Sequence, residues 1–209
     1  MRLDVWMLAV PAILGLQVAS ADVFNITADN LGGALCTTAS PCGTVTVTGT
    51  NTLTVTISLN SPFGIFGNND TFGFNVTAPT AGVTMSNFSN AAFNGNGGSG
   101  NEDGWGNFTF RVDGPGGSGA VSSLSFDVSR SGTPFTGPAD IEAGATGGNG
   151  FTVFGLHVRN NSTGLTGYAG VSDAGSSVPE PTSVVLFSTL VAGVCFIMRK
   201  RLKARPDSI

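Results

Sequence analysis

TVTVTGTNTLTVTISL, residues 44–59, alternates apolar and hydroxyl side chains one residue at a time. In an extended chain that period of two places Val45 and Val47 on one face, then Leu53, Val55, Ile57 and Leu59 on one face, with threonines opposite. A helix would need apolar residues three and four apart. The β-branched residues suit a pleated, half-buried surface, and the intervening TGTN carries turn chemistry. The stretch therefore predicts two strands joined by a turn.

The same texture continues from Asp22 to about Asp173: Thr, Val, Phe, Asn, Ser and Gly, with almost no helix-forming run. Seven further short segments read as strands, namely DVFNIT, TFGFNVT, GVTMSNFS, GNFTFRVD, SSLSFDVS, FTVFGLHVR and TGYAGVS, each followed by Gly, Pro or Asn turn residues. Eight to ten short strands at this spacing predict an all-β fold, an antiparallel β-sandwich or jelly-roll-like domain. Thirteen of the fifteen phenylalanines fall here, among them Phe72, Phe74, Phe108, Phe110, Phe126, Phe151 and Phe154, so the expected core is phenylalanine-rich. Burying each such side chain contributes about 1.5–3 kcal/mol, which makes a core feasible without metals or many disulfides. NAAFNGNGGSGNEDGWGN and DGPGGSGAVS are read as loops at the ends of the domain, because glycine loses the most backbone entropy on ordering.

Charge is distributed unevenly. Between residues 22 and 177 ten acidic residues face three arginines, Arg111, Arg130 and Arg159, a net charge of −7 with no lysine. Such a surface repels phosphate backbones and argues against a nucleic-acid partner. Five of the nine basic residues, Arg199, Lys200, Arg201, Lys203 and Arg205, crowd near the end, where they serve as a topology signal.

At the start, MRLDVWMLAVPAILGLQVASA has Arg2, an apolar run from Val5 to about Leu16, and Ala19-Ser20-Ala21, the three-part plan of a signal peptide helix cut after Ala21. The expected organisation is a signal peptide at 1–21, an extracellular β domain at 22–176 and a tail at 177–205. Within the tail, Thr182 to Met198 is a run of seventeen uncharged residues, at the lower limit for a transmembrane helix. Cys195 lies inside it as apolar filler. Cys36 and Cys42 in LCTTASPCG are close enough to form a disulfide in an oxidising compartment, which agrees with export.

Val178-Pro179-Glu180-Pro181, followed by the apolar run 182–198 and the basic cluster 199–205, resembles the PEP-CTERM sorting signal of exported bacterial proteins. The three parts stand in that family's order. The resemblance implies that an exosortase, a membrane protease or transpeptidase of the inner membrane, reads and removes the tail. It also implies release to the cell surface or extracellular matrix, alongside exopolysaccharide and biofilm systems. Proline fixes φ on either side of Glu180, so SSVPEP is expected as an exposed extended segment. A permanently anchored single-span surface protein is the main alternative.

For chemistry the sequence offers little. His157 is the only histidine, which leaves no His-based triad or zinc site; it reads as a structural or surface residue. Glu102, Asp103 and Glu142 are the acids a glycosidase would draw on, but neighbouring acids in a Gly-rich loop are usually solvated. Gly97-Gly98-Ser99-Gly100-Asn101-Glu102 approximates one copy of a calcium-binding repeat, with Glu102 in place of its Asp. Trp105 and Tyr168 are the aromatic residues with a polar tip between 22 and 177; Trp105 serves either the core or a sugar-stacking surface. Seven Asn-x-Ser/Thr triplets begin at Asn25, Asn69, Asn75, Asn87, Asn107, Asn160 and Asn161, as chance supplies in so Asn- and Thr-rich a chain. The expectation is a non-enzymatic surface or matrix protein. The alternative is a carbohydrate-binding module, calcium-assisted or not, using Asn101, Glu102, Asp103 and Trp105.

Overall fold

The computed structural model describes residues 21–67, 70–116, 120–148, 152–171 and 176–178. Among them the strands are β1 (Ala21–Ile26), β2 (Ala28–Asp29), β3 (Gly43–Thr48), β4 (Thr52–Leu59), β5 (Phe63–Ile65), β6 (Phe72–Phe74), β7 (Val83–Ser86), β8 (Gly100–Glu102), β9 (Gly106–Phe108), β10 (Phe110–Val112), β11 (Ser123–Arg130), β12 (Phe154–Asn160), β13 (Thr166–Val171) and β14 (Ser176–Val178). One 3₁₀ turn spans Pro138–Ile141. The fold is all-β, and every named strand pairing is antiparallel.

The quoted stretch forms the β3–β4 hairpin, with Val45 opposite Ile57 and Val47 opposite Val55. Its turn depends on Gly49, at φ 102°, where a Cβ would lie 2.6 Å from the Thr52 carbonyl oxygen. That hairpin is the centre of a first sheet ordered β14-β1-β3-β4-β11-β7. A second sheet runs β10-β6-β12-β13-β2, with β5 also paired to β12. Alternation does the rest: Val45, Val47, Leu53, Val55 and Ile57 of the first sheet are buried, with Phe24 of β1 and Leu124, Phe126 and Val128 of β11.

Rings from both sheets meet in one core. Phe24 of β1 packs edge-on against Phe154 of β12 at 5.0 Å between centroids, and Phe72 of β6 meets Phe126 of β11 at 5.9 Å and Phe154 at 5.4 Å. Each such pair adds about 0.5–1.5 kcal/mol beyond the area it buries. The phenylalanine-rich core expected from composition is thus present. Arg130 ends β11 inside the protein, 7 % exposed. Its guanidinium donates to the carbonyls of Thr133, Thr77 and Pro79 and lies 4.4 Å from the Phe135 ring centroid.

Three expectations need correction or limits. Residues 100–105, read as loop, join the expected strand at 106–108 in the β8–β9 hairpin, Gly100 opposite Phe108 and Glu102 opposite Gly106. SSVPEP, expected as an exposed extended segment, begins instead as a sheet edge: β14 pairs with β1, Val178 opposite Ala21. Strand β1 starts one residue before the expected cut after Ala21. The signal-peptide run, Pro179 to Pro181, the apolar run 182–198 and the basic cluster lie outside the described residues. Among the described residues no helix is long and apolar enough to cross a membrane.

Candidate functional site

Phe-Gly-Phe at 72–74, Phe-Gly-Leu at 154–156 and Gly170 in β13 share one consequence. With phenylalanine or leucine directed into the core on either side, Gly73 and Gly155 face outward, where a strand normally carries side chains. In register, Gly73 lies opposite Gly155 and Gly155 opposite Gly170, so a row of three glycines crosses β6, β12 and β13. The outer face of the second sheet therefore has a bare slot.

The β8–β9 hairpin fills it. A Cβ on Gly73 would lie 2.7 Å from Phe108 Cδ2, and one on Gly155 would lie 2.9 Å from Phe108 Cε2 and 3.0 Å from Glu102 Cγ. Phe108 is 1 % exposed yet stands outside the core cluster, as expected of a ring buried on the opposite face. Arg111, paired with Gly73 on β10, holds the approach to the hairpin by donating from Nη2 to the Gly97 carbonyl at 2.9 Å and from Nε to that of Gly98 at 3.3 Å.

Trp105 sits in the turn of the hairpin, its main-chain N–H donating to the Glu102 carbonyl at 2.8 Å, while its indole Nε1 is buried with no hydrogen-bond partner among the described residues. A Cβ on Gly170 would lie 2.9 Å from Cε2 and 3.0 Å from Cδ2, the two atoms shared by the fused rings. Contact through the fusion bond means that the indole lies face-down on Gly170. The residue also lines a cleft of about 420 Å³, together with Asp29, Asn30, Gly32, Asp103 and Gly104.

The two acids of the cleft differ. Asp29 accepts four backbone N–H bonds, from Leu31, Gly33, Leu35 and Cys36, at 2.6–2.8 Å. Partial burial works to raise its pKa, but the donors of Cys36, Gly33, Leu35 and Leu31 outweigh it and hold the carboxyl below its ordinary value. Asp29 thus organises the segment 31–36 that leads into the Cys36–Cys42 disulfide, whose Cα atoms lie 5.2 Å apart. Asp103 is exposed, and Asn30 Nδ2 reaches its carboxylate at 3.5 Å and its carbonyl at 3.2 Å. Asn30 itself is fixed by two bonds to Tyr168, N–H to O and N–H of Tyr168 to Oδ1, both 2.9 Å.

Glu102, one residue before Asp103, points the other way. It is 0 % exposed, and neither carboxyl oxygen has a hydrogen-bond partner among the described residues. Burial, then the charge of Asp70, push its pKa to about 9 against a smaller opposing pull from Arg111. At neutral pH it is a neutral acid. Beside it, His157 and Tyr168 form a cross-strand pair with rings stacked at 4.5 Å. The Tyr168 hydroxyl donates to Asp70, whose other oxygen lies 3.7 Å from His157 Nδ1. Burial lowers the His157 pKa, the Asp70 charge opposing it; burial and then the Asp70 hydrogen bond raise that of Tyr168.

The acids singled out from sequence are thereby separated. Glu102 faces Asp70, Asp103 faces solvent, and Glu142 faces Asp22: burial first, then the Asp22 hydrogen bond and charge, raise the Glu142 pKa to about 7. Asn101 is exposed on β8. Among the described residues no group of three or more His, Cys, Asp or Glu side chains is placed to hold a metal ion. Trp105 belongs neither to the core nor to open solvent but lies half-buried on the outer face. Sequence reading missed Asn30, Asp70 and the glycine row; isolated glycines inside strand patterns were the available signal for the last. Comparisons with known protein families, with curated proteins and with solved structures return no match to this chain.

Proposed function

We propose that the chain is an exported, non-enzymatic protein of the cell surface or extracellular matrix, a β-sandwich or jelly-roll-like domain sorted through Pro179-Glu180-Pro181 by an exosortase-type membrane enzyme. The structural observation that supports it best is the Cys36–Cys42 disulfide, since such bonds persist in oxidising compartments. The sequence order of prolines, apolar run and basic cluster supplies the route. Strand β14 adds a physical detail: Val178 is paired with Ala21, and Pro179-Glu180-Pro181 follows it directly in the sequence. A cut there would leave the β14–β1 pairing of Ser176 to Val178 intact.

Intact-mass spectrometry of surface material tests this reading. The expected species lacks the apolar run 182–198, and Glu180→Ala accumulates in the membrane with the tail attached. A surface-displayed protein that retains Leu186 to Met198, unaffected by Glu180→Ala, would refute sorting and leave a single-span anchor.

A further inference from the structure

We propose that the cleft beside Trp105 binds a neutral hexopyranose unit of a polysaccharide, its C–H face stacked on the outward face of the indole and its hydroxyls donating to the Asp103 carboxylate. This goes beyond the sorting reading and does not depend on it. The cleft is of ligand size, about 420 Å³, at the lower end of the usual range of roughly 300–1,000 Å³. Its platform is preorganised: the indole rests face-down on Gly170 and cannot rock inward, because a mere Cβ there would already collide at 2.9 Å. The amphipathic ring offers a flat apolar surface at small entropic cost.

The polar side is equally fixed. Asn30 is locked to Tyr168 through both its main chain and its amide oxygen, and it braces the Asp103 turn from below. The Asp103 carboxylate, with one 3.5 Å contact to Asn30, keeps acceptor positions for ligand hydroxyls. Gly32 at φ 72° and Gly104 at φ 84° leave bare backbone on the lining, with nothing within 4 Å of a Cβ placed on Gly32. These features suit a flat ring with donors at its rim.

Charge selects among sugars. Among the described residues no basic side chain lines the cleft, and Asp29 and Asp103 are both acids, so uronates and phosphorylated sugars are repelled. Two acids and one indole would also attract an ammonium group, so a glucosamine oligomer is the competing ligand to test. Glu102 does not compete for the ligand, being buried on the far side of the same turn.

Isothermal titration of the purified protein with hexasaccharides decides the matter: neutral gluco-, galacto- and manno-hexaoses, a glucosamine hexamer and a galacturonate hexamer. At least one neutral series should bind, with a change in Trp105 fluorescence. Trp105→Ala should weaken binding on the order of tenfold or more, as loss of a buried aromatic anchor does. Trp105→Phe should retain part of the affinity. Asp103→Asn, in an exposed turn, should weaken binding severalfold without disturbing the fold, and it carries the test if Trp105→Ala releases the hairpin. Absence of heat with every neutral hexaose, preference for the charged hexamers, or affinity unchanged in both Trp105→Phe and Asp103→Asn would overturn the proposal.

Discussion

Replacing Glu102 by Gln should make the protein more stable at neutral and alkaline pH, and only there. An acid with a raised pKa binds its proton in the native state while the unfolded chain has released it. For Glu102 that holds from the ordinary value of 4.5 up to about 9. Across this window the native state carries one more proton than the unfolded state, so stability is present in full below 4.5 and is lost as the pH climbs towards 9. The limiting slope is about 1.4 kcal/mol per pH unit. Between pH 5.5 and 7.5 the upper bound is therefore about 3 kcal/mol. Release of the β8–β9 hairpin caps the loss, because an exposed Glu102 ionises without penalty, and about 1–3 kcal/mol is the expected difference at pH 7.5. Gln has the same shape and no proton to lose. The assay is urea unfolding of wild type and Glu102→Gln from pH 4 to 9. Glu142, whose pKa is raised to about 7, contributes equally to both proteins and cancels in the difference. A difference that stays constant from pH 5 to 9 would show that Glu102 is ionised in the native protein and refute the reasoning.

Gly155→Ala should cost about 1–3 kcal/mol, since the new Cβ would meet Phe108 at 2.9 Å and Glu102 at 3.0 Å. In an open strand the same change would stabilise by about 0.5–1 kcal/mol, so the sign of the change in a denaturant titration decides whether the glycine row is a packed slot. Arg130→Met should destabilise by about 3 kcal/mol, because the Thr77, Pro79 and Thr133 carbonyls lose a buried charged donor. A thermal midpoint within a degree of wild type would contradict that account.

What could be read in the sequence was whatever repeats over several residues. The alternation of 44–59 extends over enough positions for its period to be unmistakable, and β3, β4 and β11 follow it in register. Strands β2, β5, β8 and β14 have two or three residues each, too few to show any period, and their pairing is set by the neighbour that receives them. The Gly-rich segment around Glu102 illustrates the reverse case. Taken alone it has no reason to order, and it orders because three glycines elsewhere leave a slot of its width. Trp105 and Asp103 were visible as candidates, whereas Asn30 and Tyr168, 73 and 65 residues away from Asp103, are brought in only by the pairing of β13 with β2 and the bonds that extend it.

The arrangement also explains how two adjacent acids take opposite states. Glu102 is the last residue of β8 and is buried against the sheet, whereas Asp103 is the first residue of the turn and is carried out to solvent. The inward one enters a slot whose walls are Gly73, Gly155 and the ring of Phe108, none of which offers a donor from a side chain, and beside the charge of Asp70 it keeps its proton. The outward one meets water and the Asn30 amide at 3.5 Å. The neutral acid lets the hairpin seat against the sheet without burying a charge, and that seating holds the indole face-down on Gly170. The glycine row, the silent carboxyl and the aromatic platform are therefore one device: remove the slot or charge the acid, and the wall of the cleft loses its support.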